Sequence, residues 1–448
     1  MSRVPQGPTQ DEPPSVPVVP GAENETAPDA LEAIAAEKHL PLKEIPGVVG
    51  PGIITGGADN DPAGVVTYSL VGAQNGFSLN FAMVLATPLL IGVQQMSARI
   101  GNVTKTDLAS LIRTHYGRNI TLAVVTATAI ANVLTIGADL VMVAAVIGMI
   151  TGAGYVYFVV PAAAVMAYVA IFLDYQTVRK YLLWLVAVFA TYIVAAFLAR
   201  PHWNSALLQT VAPHVSFTAS YFLGAVSLLG TTITPALFFW QTQGEIEERR
   251  GVQGISRANL DIASGMVWSS ITGLFIIITS AAVLHGKGHD TQSLTAAQIA
   301  AALGPVAGSY AKYLFAVGIV GAGLLAIPVI AISTAHMLSS AFGWRRSLTR
   351  PITEAPRFYL IIGLALLIGI QLAISKVNPV KALFYSQALY GLIAPFLVLL
   401  ILLLSSNRKV MGDFVNGRWT KTMGMLAVVV MLAADGALVF TVATTGLP

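Results

Sequence analysis

The sequence predicts an all-α polytopic membrane protein of about 11 transmembrane helices. Three observations carry this. Only 10% of the 448 residues are charged while 55% are hydrophobic, and the mean hydropathy is +0.73, where a soluble domain is about a quarter charged. The apolar runs have bilayer-crossing length, roughly 20 residues, and recur to the C-terminus. One integrated bundle explains that better than several soluble domains, and a β-barrel would show short alternating segments instead. Two of the runs are also interrupted by proline beside polar residues. Lipid does not tolerate such a sequence, which survives only where the backbone faces a protein-lined, water-filled cavity.

Residues 1 to about 44 are rich in Pro, Glu, Asp and Ala, with no apolar run and no basic start before a hydrophobic core. They read as a disordered tail, not a signal peptide. The transmembrane domain follows over 45–448. Its spans fall near 45–75, 78–100, 119–148, 155–173, 181–199, 219–243, 259–285, 309–342, 357–375, 379–405 and 421–445, each bounded by charged or Gly/Pro-rich punctuation. With the tail inside, twenty of the 25 lysines and arginines lie on the inner side. That places the N-terminus in the cytoplasm and the C-terminus outside. The net charge of +4 and the cluster Trp344-Arg345-Arg346 follow from the same topology and call for no nucleic acid. The absence of cysteine excludes disulfides, thiolate metal sites and thiol redox chemistry.

The first break is Thr55-Gly56-Gly57-Ala58-Asp59-Asn60-Asp61-Pro62-Ala63-Gly64, in the first span. Pro62 lacks an amide hydrogen and the glycines weaken the helix, so this span reads as two half-helices. The second is Gly230-Thr231-Thr232-Ile233-Thr234-Pro235-Ala236, in the sixth span. Thr and Pro also occur in merely kinked helices, so the second break draws its weight from being paired with the first. Five spans begin between the two breaks. Spans one to five, about 45–199, and six to ten, about 219–405, therefore read as repeats, with an extra helix near 421–445. Because five is odd, the second repeat enters the membrane upside down, the arrangement in which broken helices form a midplane site from half-helix dipoles and freed carbonyls.

The chemistry at the breaks is that of hard oxygen. Asp61 offers a carboxylate, the unwound backbone offers carbonyls, and Thr231 and Thr234 offer hydroxyls from the facing span. Such donors suit Mg²⁺, Ca²⁺ or Mn²⁺, whereas copper and zinc prefer imidazole or sulfur. Neither break contains histidine or methionine. Asp59 either shares the ion's water shell or caps the first half-helix. Gln94 presents an amide either to the cavity or to a neighbouring helix. Asp139 is expected to face a polar pathway or a basic partner such as Arg99. Trp240 and Gln241 either line the inward exit or pack. Two neighbouring carboxylates on one segment do not make an aspartyl dyad, and no HExxH, GxSxG or P-loop is present, so an enzyme is not expected.

Several runs carry a resemblance to a known family. Asp61-Pro62-Ala63-Gly64, Gln94-Gln95-Met96-Ser97-Ala98-Arg99-Ile100-Gly101, Asp107-Leu108-Ala109, Ala138-Asp139-Leu140 and Leu314-Phe315-Ala316-Val317-Gly318 come in the order and spans found in the natural resistance-associated macrophage proteins (Nramp). That resemblance implies the inverted-repeat fold of the leucine transporter and an importer of divalent metal. The departures matter as much. Where the family's first helix has a ligating Asn, this chain has Gly64. Where its sixth has Met-Pro-His, this chain has Thr234-Pro235-Ala236, and Met142 replaces a glutamate near Asp139. In the tenth, Ser386-Gln387 is kept and Ile393 stands for a frequent glutamine. Losing the thioether removes a preference for Mn²⁺, Fe²⁺ and Cd²⁺ over harder ions. Losing the His and Glu removes the family's proton path. The chain is in these respects similar to the Nramp-related magnesium transporter branch.

The expectation is a Mg²⁺ importer that also takes Mn²⁺, uncoupled from protons, with ligands among Asp61, Gly64, Thr231, Thr234, Asp59 and Gln94. It needs no cofactor. Its partners are the metal ion and the lipid bilayer, and its location is a plasma membrane, the inner membrane of a bacterium. The alternatives are a proton-coupled Mn²⁺/Fe²⁺ importer and an organic cation or amino-acid carrier of the same fold.

Overall fold

A computed structural model describes residues 51–172, 189–248, 251–287, 294–344, 353–375 and 378–446. The expected tail lies outside the described residues. The described residues contain helices and no strand. They are α1 (Pro51–Asp59), α2 (Pro62–Asn75), α3 (Asn80–Thr104), α4 (Leu108–Thr151), α5 (Val156–Phe172), α6 (Phe189–Leu198), α7 (Ala219–Thr232), α8 (Pro235–Glu248), α9 (Ile255–Leu284), α10 (Ala311–Phe342), α11 (Pro356–Ile374), α12 (Pro379–Ser405) and α13 (Arg418–Thr445). Short helices at 203–211, 296–310 and 408–411 connect them. Where they are described, the spans expected from the sequence fall on helix; 45–50, 173 and 181–188 lie outside the described residues. Among the described residues, counted with α7 and α8 as one broken unit, eight helices are long and apolar enough to cross a membrane, and α5 and α6 are shorter apolar helices.

The boundaries differ most in α4. The charges at Arg113 and Arg118 end the apolar run at 119, yet the helix begins at Leu108, where the Asp107 carboxylate caps it by accepting from the Ser110 amide at 3.0 Å. Gly117, at φ 82°, joins the two parts across a kink that only glycine adopts without strain.

The interior is built of apolar clusters with polar residues set among them, and large apolar side chains also face outward, as a lipid solvent permits. Trp419, Met425, Val429 and Phe440 of α13 and Tyr157, Val160 and Phe172 of α5 are exposed. The protein is integral to a membrane. Helices meet at close backbone contacts. Gly56 of α1 lies against Gly265 of α9, where a Cβ would be 2.4 Å from the Gly265 carbonyl oxygen, and Gly230 of α7 lies against Gln387 and Gly391 of α12. Without a hydrophobic force between helices in lipid, such small-residue contacts supply the packing. They hold α1–α2 against α9 and α7 against α12, which sets the two breaks facing each other.

Candidate functional site

Asn60 and Asp61 separate α1 from α2, and Ile233 and Thr234 separate α7 from α8. The carbonyl ends of α1 and α7 carry partial negative charge, and both point toward the breaks. Asp61 is the N-cap of α2, its Oδ1 accepting from the Gly64 amide. Pro62 at the first helical position suits this start, since the amide it lacks would have been unpaired there. Asp61 Oδ2 accepts no hydrogen bond among the described residues, so one oxygen of the carboxylate stays available.

Gly64 sits where three oxygens converge, too close for a side chain to enter without displacing them. A Cβ at this position would lie 3.0 Å from the Asp59 carbonyl oxygen, 3.1 Å from Asp61 Oδ1 and 3.2 Å from Thr231 Oγ1. Four of the expected residues, Asp59, Asp61, Gly64 and Thr231, are therefore brought together from two spans. The Thr234 hydroxyl donates to the Thr231 carbonyl at 2.6 Å and the Gly230 carbonyl at 3.2 Å, closing the open end of α7 and keeping only its lone pairs for a ligand. Gln94 is fully buried in α3, and neither its amide nitrogen nor its oxygen finds a partner. It bonds no neighbouring helix.

Asp59 does not cap a helix with its side chain. Its Oδ2 accepts from Ser269 of α9 at 2.6 Å, which anchors the end of α1. The expected pairing of Asp139 with Arg99 does not form. Arg99 donates to the Val415 carbonyl at 2.9 Å, and Asp139 instead has Asp61 and the Ala63 backbone as electrostatic neighbours. The two are forty residues apart on different helices, and α3 carries its arginine toward the turn before α13.

Sequence reasoning missed several residues here. Tyr68 bonds Thr232 at 3.2 Å and lies near Asp59 and Asp61. Its position two turns after Asp61, on the same helical face, was the available signal. Tyr390 of α12 donates to Asn132 of α4 at 2.7 Å, and Asn132 donates to Thr334 of α10 at 2.7 Å. Ser269 carried no signal, being one serine among many.

On the α1 side of the breaks, a buried network closes the space between helices. Thr55 donates to Gln241 Oε1 at 2.7 Å, Gln241 donates to Glu245 at 3.0 Å, and Asn102 of α3 donates to the other Glu245 oxygen at 2.8 Å. The Gly52 amide donates to Asp261 of α9 at 2.9 Å. Gln241 is thus part of this closure, while the Trp240 indole nitrogen is buried without a partner. On the opposite side, a cleft between α2, α7 and α12 is lined by Leu70, Gln74, Ser220, Leu223, Lys381 and Tyr385.

A family model described as natural resistance-associated macrophage protein-like matches residues 52–441. The chain belongs to this family. As an Nramp-like protein it is a transporter and not an enzyme. It is 28% identical over 413 residues to the divalent metal cation transporter MntH of Erwinia tasmaniensis, covering 88% of this chain and 94% of the relative. The crystal structure of the Eremococcus coleocola manganese transporter in complex with an aromatic bis-isothiourea substituted compound matches with a TM-score of 0.69 at 19% identity, over 88% of this chain and 93% of that one. MhsT in complex with L-phenylalanine matches with a TM-score of 0.60 at 14% identity, over 86% and 98%. The Nramp-like chain therefore has the leucine-transporter-like fold with its first and sixth helices broken.

Proposed function

We infer that this chain carries a divalent metal ion across the membrane by alternating access at the two breaks, with Mg²⁺ as its cargo and Mn²⁺ carried as well. One observation supports the ion class above all others, the convergence at Gly64 of the Asp59 carbonyl, Asp61 and Thr231. Its donors are all hard oxygen, which suits a hard divalent ion. Thr234 and Gln94 complete the set in this reading, the latter through a water. A thioether, Met83 Sδ, does approach the second break, but the Thr232 hydroxyl is turned to it at 3.8 Å.

The relatives' names favour manganese, and this is the second reading. Removal of the thioether and imidazole from the break argues for the harder ion. Ala236 and Met142 cannot titrate, so import proceeds without a coupled proton. The repeats span about 45–199 and 219–405, the N-terminal tail is cytoplasmic, and the Thr55–Gln241–Glu245–Asn102 network closes the cytoplasmic exit. The test is uptake of Mg²⁺, Mn²⁺ and Ca²⁺ into proteoliposomes, each metal alone and in competition, with internal pH read at the same time. Mg²⁺ uptake that saturates supports the reading. Uptake of Mn²⁺ with none of Mg²⁺ returns the chain to the manganese transporters, and Na⁺-driven uptake of an amine without metal uptake returns it to the organic carriers.

A further inference from the structure

Asp139 lies on α4, outside both broken spans, and it is fully buried. Neither of its carboxylate oxygens has a hydrogen-bond partner. Arg99, the cation expected to neutralise it, is committed to the Val415 carbonyl. The groups that face it are Asp61, the backbone of Ala63 and Tyr390 of α12. It ends a stripe of fully buried polar residues on one face of α4, Thr128, Asn132, Thr135 and Asp139, at helical spacing. The hydrogen bonds of Asn132 to Tyr390 and Thr334 lock the rotation of that stripe, so that Asp139 is held toward the first break.

An isolated carboxylate in a protein interior costs several kcal/mol unless a cation or hydrogen bonds compensate it. At Asp139 the chain supplies no cation among the described residues, and only the Ala63 backbone approaches it as a donor. The cargo does supply a cation, because an ion held by the oxygens around Gly64 sits beside Asp61, and Asp61 is the charge nearest in effect to Asp139. Asp59 is only half committed, its Oδ2 accepting from Ser269 on α9 while its Oδ1 is buried without a partner among the described residues.

We propose that Asp139 is the second carboxylate of the ion site, acting on the bound cation through one of its retained waters and matching the two charges of a divalent ion. The proposal rests on the reading of the oxygens around Gly64 as the ion site. Asp139 approaches the break on the Ala63 side, whereas Gly64 faces Thr231, and this is why it acts through water and not as a direct ligand. Two ionised carboxylates against one cation discriminate by charge. A monovalent ion leaves one carboxylate uncompensated and is disfavoured, which makes Asp139 a specificity-determining residue.

The experiment uses the full chain in proteoliposomes at a fixed inside-negative voltage, comparing wild type, Asp139→Asn, Asp139→Glu and Asp61→Ala. Mg²⁺ uptake is measured alone and against excess Na⁺ or Li⁺. Asp139→Asn is expected to raise the half-saturating Mg²⁺ concentration at least tenfold and to make uptake sensitive to Na⁺ and Li⁺, with Asp139→Glu restoring both in part. Wild-type half-saturation and no monovalent competition in Asp139→Asn overturns the proposal, and loss of uptake in Asp61→Ala then shows that the ion site itself stands. Uptake unchanged in Asp61→Ala removes the site and the proposal together. Should Asp139→Asn not transport, the Mg²⁺-dependent rise in unfolding temperature of the purified chain replaces the uptake readout. Its loss supports the proposal and its full retention overturns it. Metal-dependent acidification that disappears in Asp139→Asn at unchanged half-saturation also overturns it, because Asp139 then carries a proton and not the balance of charge.

Discussion

Gly64 on α2 and Thr231 on α7 face each other so closely that a Cβ on residue 64 would stand 3.2 Å from the threonine hydroxyl oxygen. Any side chain at 64 therefore crowds the oxygens of the proposed site. Replacing Gly64 by Asn and Thr234 by Met together puts an amide and a thioether where the chain now has no side chain and a hydroxyl. The double variant is expected to shift preference from Mg²⁺ toward Mn²⁺ or Cd²⁺ by roughly tenfold, about 1.4 kcal/mol. Competitive uptake measures this, and unchanged selectivity would dispose of the partly hydrated ion.

Asp61 combines two tasks, since Oδ1 caps α2 through the Gly64 amide and Oδ2 is left open. Asp61→Ala removes both. Loss of the cap costs about 1 kcal/mol of stability, too little to unfold a bundle of this size, whereas saturable metal uptake is expected to vanish. Thermal unfolding and uptake on the same preparation separate the two effects. A variant that stays folded and still transports Mg²⁺ takes Asp61 out of the site.

The network on the α1 side makes a prediction about gating. Thr55→Val deletes the hydrogen bond to Gln241 and weakens the closed arrangement by about 1 kcal/mol, roughly a fivefold shift toward the open one. The chain has no cysteine, so a single Val329→Cys reports directly. Val329 is buried against Ala58 and Leu237, and becomes accessible only if α1 moves away. Thiol labelling of this reporter is expected to speed up several-fold in the Thr55→Val background. An unchanged labelling rate means the network does not control the exit.

The proposed transport without proton coupling rests on Ala236 and Met142, which cannot titrate. The membrane potential contributes about 2.3 kcal/mol per charge per 100 mV, hence about 4.6 for Mg²⁺, which suffices for import. Mg²⁺ uptake is expected to rise with inside-negative voltage and to leave internal pH unchanged. Acidification that depends on metal and scales with its uptake returns the chain to the proton-coupled importers.

Much of the architecture was legible in the chain because a bilayer imposes local constraints. Apolar length decides whether a segment spans. Pro62 stands among glycines and carboxylates, so the first break was visible locally, whereas the second was legible only as its pair, since Pro88, Pro161, Pro328 and Pro395 lie inside unbroken helices. The kinked start of α4 was not, because Arg113 and Arg118 end an apolar run without ending a helix.

What the sequence by itself determined is the set of membrane-crossing helices, the location of the two breaks and the chemistry of the side chains there. Each depends on neighbours within a few residues. Only the tertiary structure decided which oxygens meet. Gly64 and Thr231 come from different broken spans, and their approach depends on the glycine contacts that seat α1–α2 on α9 and α7 on α12. The partner of Asp139 was decided the same way. Spacing permitted Arg99, but the packing of α3 sends that arginine to Val415, and the rotation of α4 turns the carboxylate to Asp61. No local pattern encodes such a choice, because in a packed interior the direction of a side chain is set by helices far away in sequence.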